Sequence, residues 1–271
     1  MSSSGGAVAM DADAPWSSDL STFVSPDRHV PDAARVEART RLAALLGSGR
    51  LTFLALLRGM EACLVTTDDA VRARGVLLLA ELVARPAHLS SPPPALPASA
   101  APLLAQFFVS KLEDFAAIRA ALAGCAALLT ADAVDDRGVR APAVDRAGAV
   151  EMTDRFFDAV HVPSLVQADR AKAYELLAAL VSRADDQDQD RDENASSGAR
   201  GPPLGSAPPA EQLELIVAAC DGEKDPRNVL LVCELWAMLP RAFCGAAASD
   251  GSDGSDGSGS AASAAAAPPS P

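Results

Sequence analysis

The densest run of polar side chains is Asp221-Gly222-Glu223-Lys224-Asp225-Pro226-Arg227-Asn228. Carboxylates and cations so closely mixed can cap helices, pair with one another, or offer a charged surface to a partner. Gly222 is suited to ending one helix, and Asp225 to capping the next with Pro226 in its first turn. Lys224 and Arg227 are then expected to pair with neighbouring acids. A loop joining two helices at the edge of a repeat array also often carries recognition, so the run is a candidate inter-repeat or partner-contact loop. The two readings are compatible.

Other reactive residue types are sparse and poorly placed. His88 falls in a proline-rich stretch, His29 near a small and acidic N-terminus, and His161 after an apolar run where it reads as a helix-end residue. The cysteines Cys63, Cys125, Cys220, Cys233 and Cys244 include no C-x-x-C pair, so they read as small core residues in a reducing compartment. Asp68-Asp69 and Asp135-Asp136 are adjacent pairs, and neighbours one apart on a helix do not face each other. No phosphate-binding glycine loop, nucleophile elbow or H-E-x-x-H occurs. The residues therefore predict no catalytic group, no bound cofactor and no metal site.

The elements that must position the polar loop are helical. The chain has 271 residues, 49% of them apolar, and its aromatic set is only 8 Phe, 2 Trp and 1 Tyr. Alanine and leucine dominate, and both favour helix over strand. The net charge is −13, and most of that excess sits in residues 1–31, 184–210 and 245–271. The remainder is close to balance and offers no basic surface for a phosphate backbone, so direct nucleic-acid binding is not expected. No run reaches the ~18 apolar residues of a membrane helix, and Met1 to Pro15 has no secretory pattern.

Three stretches break the helical period: the prolines of 86–102, the Asp/Gln then Gly/Pro/Ser segment 184–210, and the Ser-Asp-Gly tail 245–271. These are expected to be irregular or disordered, and residues 1–31 weakly ordered. Between them, helices are expected at 35–46, 51–64, 70–84, 99–111, 114–129, 142–160, 168–183, 209–220 and 227–243. Four of these share one design, an acid followed by an arginine and then an apolar helix. The arginines are Arg72, Arg119, Arg170 and Arg227, spaced 47, 51 and 57 residues apart, against the roughly 40–47 of HEAT-type helical pairs. An acid at a helix start suits the macrodipole, and an arginine in the first turn can reach an acid of its own or the adjacent unit. The expected fold is all-α, a HEAT-like solenoid over 32–244 in which stacked helical pairs make a ladder of ion pairs.

The octapeptide followed by Val229-Leu230-Leu231-Val232 closely resembles the N-terminal region of the MMS-nineteen family. Three further stretches are similar to that region in the same order: Thr67 through Gly75, Ser110 through Arg119, and Val160 through Leu165 with Asp169-Arg170. Together they cover roughly 32–243. Members of that family are large HEAT-repeat scaffolds of cytosolic iron–sulfur protein assembly, first linked to nucleotide excision repair and transcription. The resemblance implies a non-catalytic adaptor, cytoplasmic and nuclear. It would present apoproteins such as DNA helicases, primases, polymerases and the TFIIH helicase for cluster insertion, without holding the cluster itself. The implied partners are the targeting-complex subunits (a WD-repeat propeller protein and a small subunit) and iron–sulfur clients, with neither nucleic acid nor membrane bound directly. Family members are several times longer, and the C-terminal repeats that dock the other targeting subunits have no counterpart here. The alternatives are a generic helical-repeat adaptor unrelated to iron–sulfur proteins and a truncated, non-functional fragment.

Overall fold

Apolar residues recurring every three or four positions wind this chain into helices that bury one face or, in the middle of a row, nearly all faces. The computed structural model describes residues 15–84, 96–189 and 204–244, which contain ten α-helices and three very short strands. The first two helices are α1 (Ser17–Val24) and α2 (Asp32–Gly47); four pairs follow. These are α3 (Phe53–Leu64) with α4 (Asp69–Val83), α5 (Ala101–Ser110) with α6 (Ile118–Thr130), α7 (Arg146–Ala159) with α8 (Gln167–Gln189), and α9 (Pro209–Cys220) with α10 (Pro226–Cys244).

The second helix of each pair lies against the second helix of the next, so α4, α6, α8 and α10 form one row. The fold is thus the expected all-α solenoid. Burial follows position in the row. In α6, flanked on both sides, Ala121, Leu122, Cys125 and Leu128 have no exposed surface. Its Gly124 touches the ring of Phe108 on α5, and a side chain there would have to displace the ring. In α4, Val76, Leu78 and Leu79 are fully buried, and Tyr174, Leu176 and Leu177 do the same work in α8.

Several segments are more ordered than their composition suggests. The N-terminal stretch expected to be weakly ordered contains α1, whose Leu20 and Phe23 enter the core against α2 and α4. The carboxylate of Asp19, 12% exposed, is matched there by Arg41 at 2.7 Å, which lets a short acidic helix pack. The connector 86–102 proves regular at its far end. Leu96–Pro97 (β1) pairs in parallel with Asp132–Val134 (β2), which pairs antiparallel with Arg140–Pro142 (β3). Pro102 sits in the first turn of α5, where its missing N–H is not needed. The insertion expected at 184–210 starts later, because α8 continues to Gln189. It also ends earlier: Leu204 is buried, its N–H donating to the Gln212 side chain at 2.8 Å. Residues 1–14, 85–95, 190–203 and 245–271, and the irregularity expected of them, lie outside the described residues.

Candidate functional site

The candidate loop forms because α9 must stop and α10 must start within a few residues. After Cys220 the chain turns at Gly222, whose φ of 72° is left-handed backbone open to glycine without strain. Asp225 then accepts the N–H of Arg227 at 2.9 Å and that of Asn228 at 3.4 Å, and Pro226 opens α10. These local roles are the ones expected of Gly222, Asp225 and Pro226.

Glu223 turns inward, its side chain 2% exposed. One oxygen accepts Arg170 Nε at 2.7 Å and the other accepts Arg170 Nη2 at 3.1 Å, a bidentate pair. The Tyr174 hydroxyl and Asn228 Nδ2 each donate to the same carboxylate at 3.1 Å. The backbone N–H groups of Lys224 and Asp225 complete the shell at 2.9 Å each. The Arg170 guanidinium, helped by these N–H donors, holds the carboxyl far below the usual range against the opposing cost of burial. Burial, with the Glu223 charge adding to it, pushes the Tyr174 phenol up. Asn228, itself buried, also donates to the Gln167 carbonyl at 3.1 Å, tying α10 to the start of α8.

The same arrangement recurs along the row. Arg72 of α4 holds Asp114, just before α6, through Nε at 2.6 Å and Nη2 at 3.1 Å. Arg119 of α6 donates to Asp169 in the first turn of α8 at 2.5 Å. Each rung therefore runs from an arginine at the start of one second helix to an acid at the start of the next. Arg72 and Arg170 are also fixed from behind, donating to the Thr66 and Leu165 carbonyls at 2.8 and 2.9 Å. The Arg72 guanidinium lowers the Asp114 pKa in the same direction as at Glu223.

Two expectations for the octapeptide need correction. Lys224 and Arg227 are exposed and make no ion pair among the described residues. The acids that could have met them are engaged elsewhere, Glu223 by Arg170 and Asp225 by backbone N–H groups. The loop thus divides by depth. Glu223 and Asn228 hold the last pair to its neighbour and Asp225 caps α10, while Asp221, Gly222, Lys224, Pro226 and Arg227 face outward. Tyr174 and Gln167 belong to this centre and were not singled out from the sequence. Arg170 and Tyr174, four residues apart on one helix face, were the available signal.

Among the described residues, no three His, Cys, Asp or Glu side chains converge as a metal-binding group would. No helix among them is long and apolar enough to cross a membrane. The chemistry assembled at the loop is electrostatic fastening of one helical pair to the next.

Residues 57–251 match the family model described as Dos2-interacting transcription regulator of RNA-Pol-II, the N-terminal MMS19 model. The chain belongs to the MMS19 family. A relative from Arabidopsis thaliana, named MMS19 nucleotide excision repair protein homolog, is 33% identical over 241 residues. That alignment takes in 85% of this chain and 18% of the relative, so the chain spans less than a fifth of that protein's length. The MMS19 match encloses the three rungs and the whole octapeptide, from within α3 through α10.

Proposed function

We propose that this MMS19-family chain is the N-terminal, client-contacting part of a non-catalytic adaptor that presents apoproteins for iron–sulfur cluster insertion. Its clients are enzymes of DNA repair, replication and transcription, including the TFIIH helicase, and it works in the cytosol and nucleus beside the other targeting subunits. Family membership over residues 57–251 carries this reading. The relative's printed link to nucleotide excision repair and the family's to RNA polymerase II transcription support the same set of clients. A row of stacked helices fastened along one edge suits a surface that holds proteins rather than a pocket that transforms small molecules.

Affinity purification of the folded chain, with the recovered proteins identified and assayed for iron–sulfur clusters, tests this directly. Enrichment of iron–sulfur proteins or targeting subunits is expected. Specific partners that include neither would favour the generic helical-repeat adaptor. The purified chain itself is expected to carry no stoichiometric iron or zinc by elemental analysis.

A further inference from the structure

Helix α10 is covered along one side and open along the other. Asn228, Leu235 and Leu239 are buried in the helix that packs on α8. On the opposite side, Pro226, Leu230, Cys233, Ala237 and Pro240 make an exposed stripe, Leu230 at 65%. Val229 and Trp236 flank the stripe on one edge, and Arg227 and Glu234 on the other, all exposed. The earlier second helices have these positions covered. Three residues past each rung arginine stand Gly75, Leu122 and Ala173, all buried, where α10 has Leu230. Ten residues past stand Leu82, Leu129 and Leu180, also buried, where α10 has the exposed Ala237. The stripe is a packing surface with no partner among the described residues.

One residue departs from the pattern of the row. Seven positions past the arginine the other second helices carry Leu79, Ala126 and Leu177, and α10 carries Glu234. Neither Arg227 nor Glu234 makes an ion pair among the described residues. They stand about 10 Å apart along the helix, on the same edge of the apolar stripe. An acid at the start of a further parallel helix, the arrangement of the other rungs, would match Arg227 and leave Glu234 without a cation. An antiparallel copy of α10 matches both. With Leu230 opposite Cys233 of the second copy, Pro226 falls opposite Ala237, Arg227 beside Glu234, and Val229 beside Trp236. Two-fold symmetry then repeats each pairing.

We propose that the open side of α10 docks a second copy of this chain, the two helices antiparallel and each Arg227 paired with Glu234 of the other copy. The remaining cation on this side, Arg241, lies beyond the overlap of 226–237. It faces the 221–224 loop of the second copy, whose exposed charges are one acid, Asp221, and one base, Lys224. An overlap of about three helical turns is a small interface, so the dissociation constant is on the order of 10–100 µM. At the few micromolar of a denaturation measurement the chain is then a single copy. The pairing is independent of the adaptor reading, since it needs no client and no targeting subunit.

The test is analytical ultracentrifugation of the full chain from about 5 to about 500 µM, spanning that constant, in about 0.15 M salt to screen the repulsion between two acidic chains. The mass should rise from one chain toward two. Arg227→Glu and Glu234→Arg each place like charges together at both pairs and should each weaken association about tenfold or more. An equimolar mixture of the two variants has opposite charges at both pairs and should recover the parent's association, as should the two changes made in one chain. All of these side chains are exposed, so the variants should melt as the parent does, and the exposed-charge control Arg137→Gln should associate unchanged. A single-chain mass at about 500 µM, association untouched by either charge reversal, no recovery on mixing, or a mass beyond two chains would each overturn the proposal.

Discussion

Arg170 and Arg227 stand at the same place in consecutive units, each in the first turn of the second helix of its pair. Arg170 is 23% exposed at its side chain and grips a carboxylate that is 2% exposed. Arg227 points outward with no ion pair among the described residues. One sequence pattern therefore has two physical outcomes. Among the described residues every rung runs forward, from Arg72 to Asp114, Arg119 to Asp169 and Arg170 to Glu223, and Arg170 is matched because Glu223 reaches it from the start of the next second helix. An arginine here fastens its own unit to the next, so the strength of a rung depends on how deeply the incoming acid is buried.

The deepest rung should give the largest effect. Glu223→Ala leaves the Arg170 guanidinium, the Tyr174 hydroxyl and Asn228 Nδ2 without their shared acceptor. Loss of one partner from a buried pair costs about 3–5 kcal/mol. Chemical denaturation of the parent and variant should register a loss of that order, led by probes on α10 such as Trp236 fluorescence. A loss under about 1 kcal/mol would mean that the rung is as weak as a surface pair.

The same carboxyl makes the fold acid-sensitive. Its pKa is depressed in the folded protein by Arg170 and the surrounding N–H groups, so the unfolded chain binds the proton more readily. The resulting stabilisation is complete above the unfolded glutamate value near 4.5 and is lost progressively as pH falls below it. Denaturation midpoints should therefore drop steeply between pH 5 and about 3, and Glu223→Gln should flatten part of that slope. An unchanged slope would assign the acid sensitivity to other carboxylates.

Asp114 should show an intermediate effect. Its side chain is 17% exposed and also caps the turn that carries Phe115. Asp114→Asn keeps a hydrogen-bonding oxygen but removes the charge, and should cost about 1–2 kcal/mol by the same denaturation measurement. A cost equal to that of Glu223→Ala would remove depth of burial as the variable that grades the rungs.

Much of this ladder was legible in the residues, and the unread parts have specific causes. Acid-then-arginine at the head of an apolar helix is a local pattern, so the four second helices and the Asp68 and Asp225 caps could be read directly. Which acid of a cluster turns inward is decided by tertiary packing. Nothing in Asp221, Glu223 and Asp225 as residue types says that the middle one meets Arg170. The β2–β3 hairpin was hidden because its strands are only three residues long and each carries a charged residue in place of an apolar alternation. It is fixed instead by Asp135, which accepts the N–H groups of Arg137 and Val139 at 2.9 and 2.8 Å, and by the left-handed Gly138. Phe115 read as part of an apolar helix approach, and only the turn around Asp114 leaves it outside.

The smallest effect belongs to the other member of the comparison. Arg227→Ala removes an exposed cation with no ion pair among the described residues, so stability should change by no more than about 0.5 kcal/mol. The double variant Glu223→Ala with Arg227→Ala should then lose what Glu223→Ala alone loses, because additive sites share no partner. Arg227 lies within one helical turn of Glu223 and Asn228, which makes additivity a demanding outcome rather than a default one. Coupling above about 0.5 kcal/mol would show that Arg227 feels the buried carboxylate through the helix start, and the forward direction of the rungs would no longer describe this end of the row.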